Sequence, residues 1–144
     1  KAGEARAQLR LAELHLRYER TKELLEATGR ARALAKEAED LQTEAEALRL
    51  SVKAQLAKER SVAAENIARQ EIARFRQAGH RRQEAVMLLA DADVQMERGR
   101  PKEAKARAIE ALQIFKEDRE DLKNVGEAFK SLATAYTALG KPEK

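Results

Sequence analysis

The chain has 144 residues, enough for one compact domain or a short array of repeats. Its 29 basic and 25 acidic residues are interleaved, so the formal net charge of +4 is mildly basic and does not indicate a polyanion-binding protein. Ala and Leu dominate the hydrophobic residues, aromatics reach only 3%, and prolines number two, so we expect helices and no β-strands.

The chain contains no cysteine, which excludes disulfides and thiolate metal sites and favours an intracellular setting. Its longest apolar run, residues 85–90, is far shorter than the roughly 20 residues of a spanning helix, so we expect no membrane insertion. The sequence begins at Lys1 with no signal-peptide pattern, and the missing initiator Met predicts a fragment or a processed product.

Apolar residues recur at helical spacing along almost the whole chain, which predicts helices separated by short turns. Taken in chain order, the predicted helices span residues 4–18, 20–39, 42–57, 61–78, 81–98, 101–117 and 122–139.

A repeat of about forty residues organises these helices into pairs. Glu44-Ala45 aligns with Glu84-Ala85, and Phe75 aligns with Phe115 at the same offset. The predicted repeats span residues 4–40, 41–80, 81–120 and, incompletely, 121–144. We therefore predict one domain over residues 1–144, an all-α solenoid of antiparallel helix pairs with about 3.5 repeats.

Two glycine-proline turns support this division. Gly99-Arg100-Pro101 and Gly140-Lys141-Pro142 stand at equivalent places in successive repeats. A glycine after a helix can take the left-handed conformation that ends it, and a proline is suited to the first turn of the next helix. Both glycines are therefore predicted to end a helix in this way.

Residues 131–142, with their order of Leu, small residue, Tyr and Gly, resemble the first helix of a tetratricopeptide repeat (TPR). Residues 103–112 are similar to the second helix of that repeat. The chain thus resembles the TPR family in a variant of forty-residue period, best over residues 81–142. This resemblance implies a superhelix that binds a peptide or a partner's helix on its concave face, lined by the first helix of each repeat.

Repeat register predicts the residues of that concave face. They are Ser51, Met87, Asp91, Lys130 and Thr134. The Lys and Asn clamp by which chaperone-binding members of the family grip a terminal carboxylate is not reproduced at these positions. We therefore expect another kind of protein partner.

Catalysis is not expected, because the chain offers only His15 and His80, three serines and dispersed carboxylates as reactive groups. His15 and Glu19 could share a helical face as metal ligands, but an ordinary surface pair is the favoured interpretation. We expect no catalytic residue, no metal and no cofactor.

A basic cluster gives the main alternative function, a helical module that binds RNA or another anionic partner. The cluster comprises Arg74, Arg76, His80, Arg81 and Arg82. Against nucleic acid, Phe75, Phe115 and Phe129 are predicted on core stripes, where they could not stack on bases. A coiled coil over residues 1–78 and a sensor segment of a larger signalling protein are further alternatives.

The last helix carries an apolar face formed by Phe129, Leu132, Tyr136 and Leu139. Terminal repeats usually present a polar outer side, so we expect further repeats or a partner subunit to cover this face. The sequence as a whole predicts a protein-binding scaffold or adaptor, a fragment or subunit of a larger protein or assembly.

Overall fold

The structure is a computed structural model that describes residues 2–117 and 121–140. These residues form seven α-helices and no β-strand, which confirms the predicted all-α class. The helices are α1 (Ala2–Arg17), α2 (Thr21–Glu37), α3 (Leu41–Ala57), α4 (Ser61–Ala78), α5 (Arg81–Glu97), α6 (Pro101–Lys116) and α7 (Leu122–Leu139). Each predicted helix is present, with its bounds within two residues of the prediction.

The first five turns share one geometry, in which the residue after the helix cap takes a positive φ. These residues are Glu19, Glu39, Glu59, Gly79 and Gly99, one every twenty residues. At each turn two backbone N–H groups fold back onto the last helical carbonyls, as in a Schellman motif. The forty-residue period therefore contains a twenty-residue one, made of one helix and one turn.

The prediction that Gly99 and Gly140 take the left-handed conformation was right for the first glycine only. Gly99 is left-handed, with φ of 72°. Gly140 is not: its φ is −82°, so the expected left-handed ending of α7 was wrong. There α7 ends with the Gly140 N–H bonded to the Tyr136 carbonyl at 2.9 Å, which needs no left-handed residue. Lys141 and Pro142 lie outside the described residues, whereas Pro101 does begin α6 as predicted.

The chain forms two compact units, residues 1–67 and 68–144, with α4 contributing to both. In the first unit α2 packs against α1 and α3, and α3 also contacts α1. Alanines and leucines fill the space between these helices. The many small side chains allow the helix backbones to approach closely.

The second unit repeats this arrangement: α6 packs against α5 and α7, and α7 also contacts α5. A helix that packs on the two helices before it is the contact pattern of a helical repeat, so the solenoid type of packing is confirmed within each unit. The single domain over residues 1–144 stays a prediction.

The buried stripes of the third repeat are those that the sequence predicted. On α5 they include Ala85, Leu88 and Ala92, and on α6 they include Ala104 and Phe115. Burial on α5 extends well beyond one stripe, because Val86, Met87, Ala90, Asp91, Val94 and Gln95 are buried as well. α5 is therefore enclosed on most of its circumference.

None of the described helices combines the length and the apolar character that crossing a bilayer requires.

Candidate protein-binding surface

The predicted concave-face residues lie in different environments. Ser51 is half-buried on α3, and Lys130 and Thr134 are exposed on α7. Met87 and Asp91 on α5 are both 0% exposed, so for these two the predicted surface position was wrong. These two residues are buried because α5 is enclosed on most of its circumference, so positions that the repeat register places on a surface lie in the core.

Asp91 has a structural role at its buried position. Its carboxylate accepts a hydrogen bond from the Arg107 Nε at 2.9 Å and another from the Gln95 Nε2 at 3.1 Å. A buried carboxylate without such partners would be strongly destabilising. Asp91 therefore links α5 to α6 through Arg107 and is unavailable to a partner.

The predicted basic cluster is neutralised within the protein. Each of its four arginines donates to a carboxylate at 2.6–3.2 Å. The pairs join Arg74 to Glu71, Arg76 to Glu84 and Glu110, Arg81 to Glu117, and Arg82 to Asp121. The fifth member, His80, is half-buried with its ring edge-on to Phe75 at 6.4 Å. A phosphate would have to displace these carboxylates, which weighs against an anionic partner here.

Asp121 fixes the beginning of α7. Its side chain accepts hydrogen bonds from the backbone N–H and the side-chain amide of Asn124 and from the Arg82 Nε of α5. Burial alone would raise the pKa of Asp121, but the hydrogen bonds from Arg82 and Asn124 lower it below its ordinary value. An ionised N-cap held by Arg82 thus anchors the start of α7 to α5.

α7 has two apolar faces, only one of which is covered. On the first, Ala128 and Ala135 are fully buried, and Ala135 packs with Ala92 and Ala104. On the second, Phe129 is 50% exposed and Tyr136 is 51% exposed. The second face consists of Leu122, Val125, Phe129, Leu132, Tyr136 and Leu139. These six residues, the α7 stripe, alternate at spacings of three and four, as in the seam of a coiled coil.

Lysines of α6 border this stripe. The Lys105 Nζ lies 4.7 Å from the ring centroid of Tyr136, and the Lys116 Nζ lies 5.8 Å from that of Phe129. Both distances suit a cation–π contact. We call the channel between the α7 stripe and the α6 residues Lys102, Lys105, Ile109 and Lys116 the α6–α7 groove.

The end of the groove near Leu139 contains a cavity. Its volume is about 400 Å³. It is lined by Lys102, Lys105, Ala106, Ile109 and Leu139. An apolar floor with two lysines at the rim can accept an apolar side chain and, beside it, an acidic group.

The lysines differ from the paired arginines described above. Among residues 2–117 and 121–140, no carboxylate forms an ion pair with Lys102, Lys105 or Lys116. Their positive charge is therefore not balanced by a described residue. The groove combines half-exposed aromatic rings with ammonium groups that no described carboxylate pairs with, a chemistry that fits recognition of a protein.

Sequence reasoning found the apolar half of this groove and missed the rest. It identified Phe129, Leu132, Tyr136 and Leu139 as an apolar face for further repeats or a partner to cover, and both rings of that face are half-exposed in the structure. Its other expectation for Phe129, a place on a core stripe, was wrong, whereas Phe75 and Phe115 are buried as predicted. The α6 side of the groove, which we call the lysine wall, consists of Lys102, Lys105 and Lys116. It had one sequence signal, the spacing of these lysines and Ile109 along one helix face.

No group of three or more His, Asp or Glu side chains that could hold a metal ion occurs in the described part of the chain. His15 lies in the last turn of α1, and Glu19 lies in the turn that follows. No protein-family model matches the sequence, and a search of curated proteins found no match either.

Proposed function

We propose that this chain is a protein-interaction scaffold of the TPR-like type and that the α6–α7 groove is its partner-binding surface. The observation that carries the proposal is the half-exposure of Phe129 and Tyr136 side by side on one face of α7. Aromatic residues are enriched at the centres of protein interfaces, where they bury large apolar areas.

The energetic reason for a partner is the apolar area that the groove leaves in water. Each ring could bury about 100 Å² more, which at about 25 cal/mol/Å² stabilises a complex by roughly 2.5 kcal/mol per ring before the costs of association. The flanking leucines add to this area. The resemblance to TPR proteins, the paired helices and the packing of each helix on its two predecessors all support the same class of function.

The test is capture of partner proteins from a lysate of the source organism, at low and at high salt, on the immobilised chain. The variant Phe129→Ala with Tyr136→Ala removes the rings of the groove. The matched control, Leu14→Ala with Tyr18→Ala, removes exposed apolar side chains from α1. Circular dichroism checks that both variants keep their helices.

We expect the wild-type chain and the α1 control to retain the same proteins at both salt concentrations, and the groove variant to lose them. Retention of the same proteins by the groove variant would contradict the proposed surface. Capture of nucleic acid that disappears at high salt would instead favour the anionic alternative.

A further inference from the structure

The geometry and charge of the groove point to one class of occupant. We infer that the α6–α7 groove binds an amphipathic helix of another protein, whose apolar stripe is flanked by acidic residues. This inference rests on the proposed function, because it names the partner of the same surface.

The spacing of the α7 stripe indicates a helix. Positions 122, 125, 129, 132, 136 and 139 form an a/d pattern over the whole of α7. Such a pattern presents holes into which the side chains of a facing helix insert as knobs. An extended peptide repeats its side chains every second residue and would not match this period. A stripe of this length extends over about 25 Å, so it matches a partner helix of roughly 17 residues.

The chain itself shows how such a groove is filled. Within the first unit α3 packs on α1 and α2, and within the second α7 packs on α5 and α6. The α6–α7 groove is the equivalent position one helix further along. No described residue fills it, since Phe129 and Tyr136 are half-exposed there. A helix is therefore the element that this fold places in such a position.

The lysines of α6 favour a partner helix with negatively charged side chains. Lys105 and Lys116 hold their ammonium groups above the Tyr136 and Phe129 rings, at the edge of the surface that a helix would cover. A docked helix would remove part of their hydration, so carboxylates beside its apolar stripe would replace lost water contacts. A basic helix would bring like charges together at the same places.

A second copy of this chain is a poorer occupant. Its exposed apolar stripe on α1, made of Leu11, Leu14 and Tyr18, has the exposed Arg10 and Arg17 along one side and one exposed carboxylate, that of Glu4, near the other. Docking that stripe would set arginines against the lysines of the groove. A symmetric contact between two α6–α7 grooves would set lysines against lysines. Charge complementarity thus favours an acidic helix over a second copy of this chain.

The test is selection from a displayed library of helical peptides. Each peptide has an apolar a/d stripe, drawn from Ala, Leu, Ile, Met and Phe, and flanking positions that are free to be Glu, Lys, Gln or Ser. The library is selected on the wild-type chain, on Lys105→Glu with Lys116→Glu, and on Lys22→Glu with Lys58→Glu. The last variant carries the same change of net charge on exposed residues outside the groove.

We expect peptides enriched on the wild-type chain and on the control to carry Glu at the flanking positions. On the groove variant that preference should reverse towards Lys. The affinity of the best acidic peptide should fall by at least about tenfold on the groove variant, since two close charge pairs are replaced by repulsion. Fluorescence anisotropy measures this change.

The outcomes separate this inference from the proposed function. Peptides that require Phe129 and Tyr136 but show no preference for acidic flanks, or the same preference on the groove variant, would overturn the acidic-helix inference and leave the scaffold proposal intact. Failure to enrich any peptide that depends on the two rings would contradict both. Self-association of the wild-type chain, lost in Phe129→Ala with Tyr136→Ala, would identify a second copy as the occupant and overturn the inference.

Discussion

α5 and α7 begin successive repeats, yet equivalent positions on them have opposite environments. Met87 and Asp91 on α5 correspond in register to Lys130 and Thr134 on α7. The first pair is fully buried and the second is exposed. Repeat register therefore identifies which positions correspond, but neighbouring helices decide which of them is accessible.

The two helices also differ in how they use polar and aromatic residues. α5 buries Glu84 and Asp91 and pairs them with arginines. α7 buries alanines and leaves Phe129 and Tyr136 half-exposed. In α5 the buried charges join neighbouring helices, whereas α7 leaves apolar area exposed to water. Each of the following variants tests one part of this contrast.

The largest effect is expected where α5 holds a buried charge. Arg107→Met keeps the apolar stem of the side chain but leaves the Asp91 carboxylate with Gln95 as its one hydrogen-bond donor among the described residues. We expect the free energy of unfolding to fall by about 3 kcal/mol, because an unpaired buried carboxylate is left behind. Urea denaturation followed by circular dichroism measures this loss.

Arg81→Met is the matched control for that variant. It breaks the pair with Glu117, in which both side chains are more than half-exposed. Water screens such a pair, so we expect little change in the denaturation midpoint. Equal losses of stability in the two variants would show that the buried pair of Arg107 and Asp91 contributes no more than an exposed pair. That result would weaken the contrast between α5 and α7.

A smaller effect is expected at the start of α7. Asp121→Asn keeps an oxygen that can accept from the Asn124 N–H but removes the charge that faces Arg82. At neutral pH we expect the variant to be about 1 kcal/mol less stable, because a charge-assisted hydrogen bond is lost. Denaturation at a series of pH values measures the difference.

The pH dependence of that difference follows from the lowered pKa of Asp121. Its stabilising contribution is complete above the ordinary Asp pKa of about 3.9 and is lost as the pH falls through the lower folded-state pKa. The two proteins should therefore converge in acid. A difference that is constant down to the lowest pH would contradict a role for the charge. Glu127→Gln, which changes a carboxylate on the same helix, serves as the control.

The smallest effect is expected at the glycines that follow the two helices, Gly99 after α5 and Gly140 after α7. Gly99→Ala should cost about 1 kcal/mol, since its φ of 72° disfavours any residue with a Cβ atom. Apart from the two adjoining residues, no described atom lies within 4 Å of the added Cβ, so the cost is conformational. Gly140→Ala, at φ of −82°, has no such conformational cost, but its Cβ would lie 3.3 Å from the Tyr136 carbonyl oxygen, so we expect a smaller destabilisation than for Gly99→Ala. Equal thermal shifts for the two variants would contradict this assignment.

The helices were predictable from sequence because their apolar spacing is regular and their turns are short. The geometry of the turns was only partly predictable. Glycine marks the left-handed position at Gly79 and Gly99, but Glu19, Glu39 and Glu59 take the same conformation without that marker. A non-glycine residue adopts it at a cost, and the packing of the adjoining helices has to offset that cost.

The candidate site was predictable only where one helix determines it. The apolar face of α7 can be read from the spacing of Phe129 and Tyr136 alone. The burial of Asp91 and the pairing of the arginines depend on contacts between helices, for example that between Arg107 and Asp91, which no single-helix pattern contains. The lysine wall was missed for the same reason, because the contact that places Lys105 in the groove is with the Tyr136 ring of another helix.

The central claim is that a partner helix covers the α7 stripe, and fluorine NMR of the chain labelled with fluorophenylalanine tests it most directly. The chain has three phenylalanines, of which Phe75 and Phe115 are buried and Phe129 is half-exposed. On addition of a helical peptide selected as above, we predict that only the Phe129 resonance, assigned with Phe129→Leu, shifts. Binding of that peptide with no change in the Phe129 resonance would contradict the account.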